Sequence, residues 1–180
     1  MEKIISRLQL SFALQDIREQ RPDLWFLSIA KNNAVSILTS LRDIHGFTSL
    51  ILLTAVDYLE NNVFQLTYIL RNYSMNVSLG IEVKLPREAA VMDSIHHLWQ
   101  HAETFQRELK EMFGIDFPGS PGIDEGFVLE GWDNIPPLRR DFDTRKYARE
   151  TFFPRPGRTK HDPRDQMRSK LYSDYSGGEK

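Results

Sequence analysis

The amino-acid sequence predicts an α+β fold, in which a largely antiparallel sheet is covered by helices and followed by an extended C-terminal arm. The N-terminal part alternates helical apolar spacing with one continuous apolar run. Three strand-like segments then follow with connections too short for a crossover helix, so that neighbouring strands can pair antiparallel. Beyond residue 114 the periodicity fades, and four of the nine prolines and five of the ten glycines lie within residues 114–137.

The first three elements are predicted from the spacing of apolar residues. Residues 2–15 carry isoleucine, leucine and phenylalanine at roughly helical intervals, which predicts a helix. The continuous apolar run at residues 23–30 is typical of a buried strand. Residues 32–46 place their apolar side chains on one helical face and end at a glycine, which predicts a helix with a glycine cap.

Three strands and a helical region follow. Residues 47–59 and 63–73 flank the polar turn Glu-Asn-Asn, and both are predicted to be strands. Residues 77–85 alternate apolar with polar side chains, as in a strand with one face in water. Residues 89–113 are predicted to be helical, in two pieces.

The chain is predicted to divide into an α+β domain at residues 1–118 and an arm rich in proline, glycine and basic residues at residues 119–180. The last part of the arm, residues 143–180, shows no clear periodicity. We therefore expect it to be extended and to become ordered only on a partner, if at all.

Composition excludes several classes of site. The 180 residues include no cysteine, so the chain has no disulfide, no thiol nucleophile and no thiolate ligand for an iron–sulfur cluster or structural zinc. Neither phosphate-binding motif, G-x-G-x-x-G or G-x-x-x-x-G-K-[ST], occurs. The longest apolar run, residues 49–56, is far shorter than the roughly 18 residues of a membrane-spanning helix, and the N-terminus lacks the apolar core of a signal peptide. We expect a soluble, cytoplasmic chain with no cofactor of its own.

Charge is distributed unevenly along the chain. Residues 1–136 contain eleven Lys and Arg and eighteen Asp and Glu, a net charge of −7, whereas residues 137–170 contain eleven and five, a net charge of +6. An acidic body with a basic tail predicts that the tail meets something negative. One alternative is therefore a stand-alone binder of nucleic acid or anionic lipid. The few aromatic residues in the tail argue against nucleic acid.

Three histidines offer a candidate metal site. His96, His97 and His101 fall within the predicted helical region, and the last two have the i, i+4 spacing of a two-histidine metal face. No H-E-x-x-H motif is formed, and no third ligand is evident. A solvated or partner-facing helix explains the histidines better, so no metal site is predicted.

The segment RELKEMFGIDFPG, residues 107–119, combines a charged helix end with an apolar exit. One helical face is expected to be buried: Phe105, Leu109, Met112 and Phe113. The opposite face carries a ladder of charges: Glu103, Arg107 and Glu111. Glu108 lies on the flank, so we expect it to be partly desolvated and to need an arginine partner. Gly114 follows where a helix often ends in a left-handed residue.

Helix electrostatics and one buried pair explain these carboxylates better than catalysis does. A glycosidase-like pair of acids requires a pocket, and nothing else in the sequence supplies one. We therefore predict no catalytic residue in this chain.

The segment PPLRRDF, residues 136–142, is interpreted as a docking element. Its two prolines fix an extended backbone, which presents Leu138 and Phe142 as apolar anchors with two arginines and an aspartate between them. An arginine fork suits a bidentate contact with a carboxylate, within the chain or across an interface.

Together the two segments resemble the signature of the 30 kDa subunit family of NADH–quinone oxidoreductase, which is respiratory complex I. The family pattern is roughly an E-R-E helix, a D-M-F-G-I exit, a G-H-P turn and a P-L-R-K-D-F segment. The resemblance covers roughly residues 24–142 and includes the strand block VDYLENNVFQLTYILRNYSMNVSLGIEVKLP. Departures at Gln106, Glu111, residues 120–122 and residues 124–125 indicate a divergent member.

The resemblance implies a non-catalytic scaffold subunit in the peripheral arm of a respiratory NADH:quinone oxidoreductase. It implies docking on the large hydrogenase-like subunit at the quinone site, in support of electron transfer to quinone coupled to proton translocation. The residues implied at the interface are Arg107, Glu108, Glu111, Met112, Phe113, Gly114, Pro137, Leu138, Arg139, Arg140, Asp141 and Phe142.

The resemblance also implies a location and a distribution of cofactors. Iron–sulfur clusters, flavin and quinone are expected in partner subunits, and the chain is expected at the cytoplasmic face of the inner (plasma) membrane as a peripheral subunit. Nucleic acid is not an expected partner, and the membrane is reached only through the complex. The alternative is the equivalent subunit of a membrane-bound energy-converting hydrogenase or formate hydrogenlyase.

Overall fold

The computed structural model describes residues 1–129 and 131–153, and within them the chain forms five strands and four α-helices. In chain order they are α1 (Glu2–Ser11), β1 (Leu14–Arg21), β2 (Leu24–Ile29), α2 (Ala34–Asp43), β3 (Ser49–Tyr58), β4 (Val63–Asn72), β5 (Val77–Pro86), α3 (Ala102–Phe113) and α4 (Thr144–Phe152). Short 3₁₀ turns follow β3 at Leu59–Asn61 and β5 at Arg87–Ala89. Across the described part of the chain, every helix is too short or too polar to cross a membrane.

The five strands form one sheet in the order β1-β2-β5-β4-β3. All neighbouring pairs are antiparallel except β2 and β5, which run parallel and are connected through α2, β3 and β4. Buried side chains alternate along the strands and pack with residues of α1, α2 and α3 in one hydrophobic core. The predicted α+β class with a largely antiparallel sheet is confirmed.

One end of this sheet positions the candidate site. Asp57 near the end of β3 pairs with Phe64 of β4, and Phe64 pairs with Leu85 of β5. The turn that carries Arg87 begins where β5 ends. An acid, an aromatic ring and a cation are therefore brought together by strand register alone.

Strand β1 was not predicted. The helix predicted at residues 2–15 ends at Ser11, and the chain turns into an edge strand at Leu14. Along this strand only Leu14 and Ile17 are half-buried, and the other side chains are exposed. An edge strand with both faces largely in water needs no apolar alternation, so its sequence carries no strand period.

The helix predicted at residues 89–113 is wrong in its first half, because only α3 is helical. Met92, Ile95 and Trp99 are buried, and their spacing imitates a helical stripe. The backbone instead pairs with the exit from α3: the N–H of Met92 donates to the carbonyl of Asp116 at 2.9 Å, and the N–H of Asp116 donates to that of Ala90 at 2.8 Å. A tertiary contact overrides the local pattern here.

The first compact unit of the chain extends from Met1 to Phe142, further than the boundary predicted at residue 118, and a second unit begins at Asp143. In the second unit, residues 144–152 are helical rather than extended, which corrects the prediction for this part of the arm. The Asp143 side chain caps the helix by accepting the N–H groups of Arg145 at 3.0 Å and Lys146 at 2.9 Å. Helix α4 has no buried residue. The rest of the predicted arm, residues 154–180, lies outside the described residues.

Candidate functional site

The segment 136–142 packs on the end of α3, so the two sequence motifs form one site, which we call the signature junction. The N–H of Leu138 donates to the carbonyl of Met112 at 3.0 Å. Gly114 ends α3 at a φ of +77°, and a Cβ atom there would approach Pro136 Cγ to 3.3 Å. Glycine adopts this left-handed conformation without steric cost and also leaves room for the proline ring.

The centre of the junction is a buried ion pair. Asp57 occupies the last inward-facing position of β3, and its side chain is 1% exposed, against 9% for that of Arg87. Nη2 of Arg87 donates to Asp57 Oδ2 at 3.1 Å, and Nε lies 2.8 Å from Oδ1 in an ionic contact that is poorly aligned for a hydrogen bond. The backbone N–H of Arg140 donates to Oδ2 at 2.9 Å. A buried carboxylate requires such compensation.

Two other charged residues of the motif, Asp141 and Arg140, also contact oppositely charged side chains of the same chain. Nη2 of Arg87 donates a second bond to Asp141 Oδ1 at 2.8 Å. Nη1 of Arg140 contacts both oxygens of Glu60 at 2.7 and 2.6 Å. The hydrogen bond from Arg140 holds the pKa of Glu60 below its ordinary value. Because both partners of this pair are more than half exposed, it contributes little to stability.

Arg139 differs from these two arginines. Its guanidinium carbon lies 5.4 Å from the centre of the Phe64 ring, and that of Arg87 lies 5.5 Å from the same ring. Its Nη2 donates to the carbonyl of Arg87 at 3.5 Å, and its buried Nε has no hydrogen-bond partner among the described residues. No ion pair of Arg139 with a carboxylate occurs in the described part of the chain.

A second set of contacts fastens the loop that follows α3. The Glu111 carboxylate accepts the backbone N–H groups of Phe127 at 2.6 Å, Val128 at 2.8 Å and Leu129 at 2.9 Å. Nη2 of Arg107 donates to the carbonyl of Gly126 at 2.8 Å. Burial acts to raise the pKa of Glu111, but the three N–H donors outweigh it and lower the pKa. We call residues 126–129 with these two side chains the loop clamp.

Lys110 fastens the same loop nearer its start. Its Nζ lies 2.8 Å from Asp116 Oδ1 and 2.6 Å from Asp124 Oδ1. These bonds, to Asp116 first and Asp124 second, raise the pKa of Lys110. Three charged positions of the helix surface, 107, 110 and 111, thus hold one loop.

The structure corrects the prediction for Glu108. The residue is half-buried, as expected of a flanking position, but no arginine or other partner contacts its carboxylate within the described ranges. The acid that is bound is Glu111, and backbone amides rather than an arginine bind it. Helical spacing shows which face an acid occupies, but it does not show that a later loop will fold over that face.

The other predicted residues lie at or beside the junction. Phe113 is buried and stacks edge-on against Phe64 with ring centres 6.0 Å apart. Phe142 makes a similar contact with Trp132 at 5.5 Å. Leu138 is 53% exposed, so this anchor does not enter the core of its own chain.

Sequence reasoning missed the residues on the sheet side of the junction, namely Asp57, Glu60, Phe64 and Arg87. One signal for Asp57 was available. Its inward-facing neighbours along β3, Leu53 and Ala55, are apolar, so an aspartate in phase with them must bury its charge and find a cation. The spacing of residues in the sequence does not identify Arg87 as that cation.

The three histidines do not share a helix. His96 lies in a turn with Nδ1 3.3 Å from the carbonyl of Gln100, and His101 precedes α3 with Nε2 2.9 Å from the carbonyl of Leu50. Within the described ranges, no group of three His, Cys, Asp or Glu side chains has a geometry that suits a metal ion.

The contacts of the junction hold segments of the same chain together. Apart from Glu108, its described charges contact carboxylates, cations or backbone groups in the same chain. An open groove of about 290 Å³ lies elsewhere, between the ends of α1 and α2, and is lined by Leu10, Phe12, Ile44 and His45 among others.

The sequence of this chain is similar to those of known respiratory subunits. Residues 27–148 match the family described as the respiratory-chain NADH dehydrogenase, 30 Kd subunit. The C-type subunit of the NADH-quinone oxidoreductase of Moorella thermoacetica is 30% identical over 142 residues, which are 79% of this chain and 95% of that protein. The C/D-type subunit of the same enzyme from Pseudomonas fluorescens is 29% identical over 75% of this chain, but this match spans only 24% of that longer protein.

Solved structures share the fold. A chain of the membrane-bound sulfane sulfur reductase, an archaeal respiratory membrane complex, superposes with a TM-score of 0.77 at 20% identity and covers 90% of this chain and 96% of its own length. A trypsin-resistant fragment of Nqo5 superposes with a TM-score of 0.55 at 19% identity and covers 67% and 96%. At these identities the two likenesses show the fold alone.

Proposed function

This chain belongs to the family of the 30 kDa subunit of the respiratory-chain NADH dehydrogenase, and on this premise we propose that it is a non-catalytic scaffold subunit in the peripheral arm of an NADH:quinone oxidoreductase. It docks on the large hydrogenase-like subunit at the quinone site and supports electron transfer to quinone coupled to proton translocation. Iron–sulfur clusters, flavin and quinone belong to partner subunits. Those partners hold the chain at the cytoplasmic face of the inner membrane.

The observation that carries this proposal is the contrast between bound charges and free apolar side chains at the junction. The ion pairs and the loop clamp fix the backbone, while Leu138, Val128 and Ile135 remain 53%, 64% and 42% exposed. Rigidly held apolar side chains within a polar rim are typical of protein interfaces. A catalytic site would instead need a concave pocket with a reactive group in it.

The longer relative from Pseudomonas fluorescens supports the choice of partner. In that C/D-type protein a segment similar to this chain is continuous with a much longer polypeptide. Two units joined in one chain are held near each other, and this supports the proposal that the present chain docks on a separate D-type subunit.

The alternative function is the equivalent subunit of a membrane-bound energy-converting hydrogenase or formate hydrogenlyase. The fold is shared with an archaeal respiratory membrane complex whose name includes no NADH dehydrogenase, so the fold does not choose between these enzymes. Only the cofactors of the partner subunits distinguish them.

Affinity purification of the tagged full-length chain from its native membranes tests the proposal. We expect it to bring down a D-type subunit together with subunits that contain flavin and iron–sulfur clusters, and the complex to reduce quinone with NADH. A co-purified subunit with nickel-binding cysteines would support the alternative. A chain that purifies alone and by itself turns over a substrate with bound flavin, metal or quinone contradicts both.

A further inference from the structure

Three arginines meet at the junction, but among the described residues only two of them have a carboxylate partner. Arg87 contacts Asp57 and Asp141, and Arg140 contacts Glu60. Arg139 has no ion-pair partner among the described residues, and its Nη2 reaches only the carbonyl of Arg87 at 3.5 Å. Its Nη1 is left without a described hydrogen bond.

Arg139 is nevertheless held in place. Its guanidinium lies over the Phe64 ring at 5.4 Å, and its buried Nε adds the cost of an unbound donor. Its backbone N–H donates to the carbonyl of Pro136 at 3.1 Å, and its carbonyl accepts the N–H of Phe142 at 3.1 Å. Within the described part of the chain, this half-buried and pre-positioned guanidinium therefore lacks a charged partner.

The surroundings of Arg139 have the character of an interface centre. Leu138 precedes it and is 53% exposed, and Ile135, just before the turn of residues 136–139, is 42% exposed. Contact with a partner would cover both side chains and exclude water from the guanidinium, which strengthens any ionic contact made there.

We propose that Arg139 binds one acidic side chain, an aspartate or glutamate of the subunit on which this chain docks. The inference rests on the proposed function and specifies the chemistry of the contact. The planar guanidinium matches a carboxylate in shape and charge, and formation of the pair on docking removes the cost of the unpaired cation.

A carboxylate fits this place better than a phosphate group. Asp57, Glu60 and Asp141 already surround the arginines, so a doubly charged phosphate would meet more repulsion than a singly charged side chain. The neighbouring apolar side chains also favour a protein surface over the hydrated headgroups of a lipid bilayer.

Zero-length cross-linking in the assembled complex tests the proposal. Arg139→Lys places a primary amine at the site, and a carbodiimide will join it by an amide bond to a carboxylate in contact with it. We expect mass spectrometry to find position 139 linked to an Asp or Glu of a neighbouring subunit. Arg140→Lys is the matched control, because its amine faces Glu60 and should link within the chain.

Dissociation kinetics provide a second measurement. At raised salt, the chain carrying Arg139→Gln should leave the complex at least about tenfold faster than the wild type, because an interface carboxylate loses its partner. The chain carrying Arg21→Gln, which removes an exposed arginine of β1 that pairs with Asp23 away from the junction, should leave at the wild-type rate. Unfolding of the isolated variants shows whether loss of the Phe64 contact has disturbed the fold.

Three outcomes overturn the proposal: a link from position 139 that stays within this chain, an unchanged dissociation rate for Arg139→Gln, or loss of binding to anionic lipid vesicles as the main effect of Arg139→Gln. Each can occur while the wild-type chain still assembles with its partners. Failure of the wild type to co-purify with any subunit would instead refute the proposed function.

Discussion

Asp57 is one of the residues that hold segment 136–142 against the sheet. Its position in β3 is in phase with buried Leu53 and Ala55, so folding removes its carboxylate from water. The ion pair with Arg87 and the N–H of Arg140 compensate for that loss. Because one of these donors belongs to the segment itself, the aspartate couples the sheet to the motif.

Asp57→Asn should destabilise the full-length chain by about 3 kcal/mol, because it leaves the buried Arg87 with only the partly exposed Asp141 as a counter-charge. The free energy of unfolding in urea measures the effect. Glu60→Gln is the control, since it removes an exposed carboxylate and should cause no measurable change. Equal stability of the two variants would show that the buried pair is not important for the fold.

Glu111 illustrates what residue patterns do and do not predict. Its place on the polar face of α3 could be read from helical spacing, and so could the buried positions of Leu109 and Phe113. Its partners could not, because they are backbone amides of a loop with no side-chain signature. The same spacing favoured Glu108, which has no partner in the described residues.

The loop clamp should make stability depend on pH. The folded-state pKa of Glu111 is lowered from its ordinary value of 4.5, so its contribution is present above that pH and is lost as the pH falls through the folded pKa. Glu111→Gln should therefore be less stable than the wild type at pH 7, and the difference should shrink below pH 4.5.

Comparison with Glu111→Gln isolates this carboxylate, because Glu60 and Asp143 also have lowered pKa values and titrate in the same acidic range in both proteins. Urea unfolding at a series of pH values gives the measurement. A difference that stays constant from neutral to acidic pH would show that Glu111 does not act through its charge.

At the scale of secondary-structure elements, the way in which α3 ends contributes more to the junction than the length of the helix does. Gly114 stops the helix in a left-handed conformation, and the exit that follows pairs with residues 90–92 and lies beneath Pro136. This termination could be predicted, because glycine after an apolar helical stripe has a local cause. Strand β1 and residues 90–101 could not, because an edge position and a tertiary pairing determine their conformations.

Gly114→Ala should be destabilising for two reasons. A left-handed conformation costs an alanine about 1–2 kcal/mol, and the added methyl group would press on Pro136 Cγ at 3.3 Å. Gly119→Ala is the matched control, since Gly119 has a φ of +81° but no heavy atom within 4 Å of the added carbon.

Chemical denaturation of both variants separates the two costs. We expect both to lose stability and Gly114→Ala to lose more. If the two lose the same amount, the close approach of Pro136 does not constrain the fold.

At the scale of the whole molecule, the question is where the self-sufficient part of the chain ends. A boundary at residue 118 is attractive from the sequence, because regular elements stop there and proline and glycine become frequent. The contacts extend further. The loop clamp uses residues 126–129, and the buried ion pair uses Arg140, so irregular segments complete the core that regular elements begin.

Truncation tests this directly. A chain of residues 1–142 keeps the loop clamp, both ion pairs of Arg87 and the contact of Leu138 with α3, so it should unfold cooperatively in urea with a midpoint close to that of the full-length chain. A chain of residues 1–118 leaves Asp57 without the N–H of Arg140 and Glu111 without its three donors, and it uncovers Phe64. It should unfold at a much lower urea concentration, with a loss of several kcal/mol in the free energy of unfolding if each buried polar group costs about 1–3 kcal/mol when its partner is removed.

Circular dichroism of the two chains at matched concentration provides the measurement. If residues 1–118 prove as stable as residues 1–142, segment 136–142 is not needed for folding of the domain, and it acts only in binding the partner.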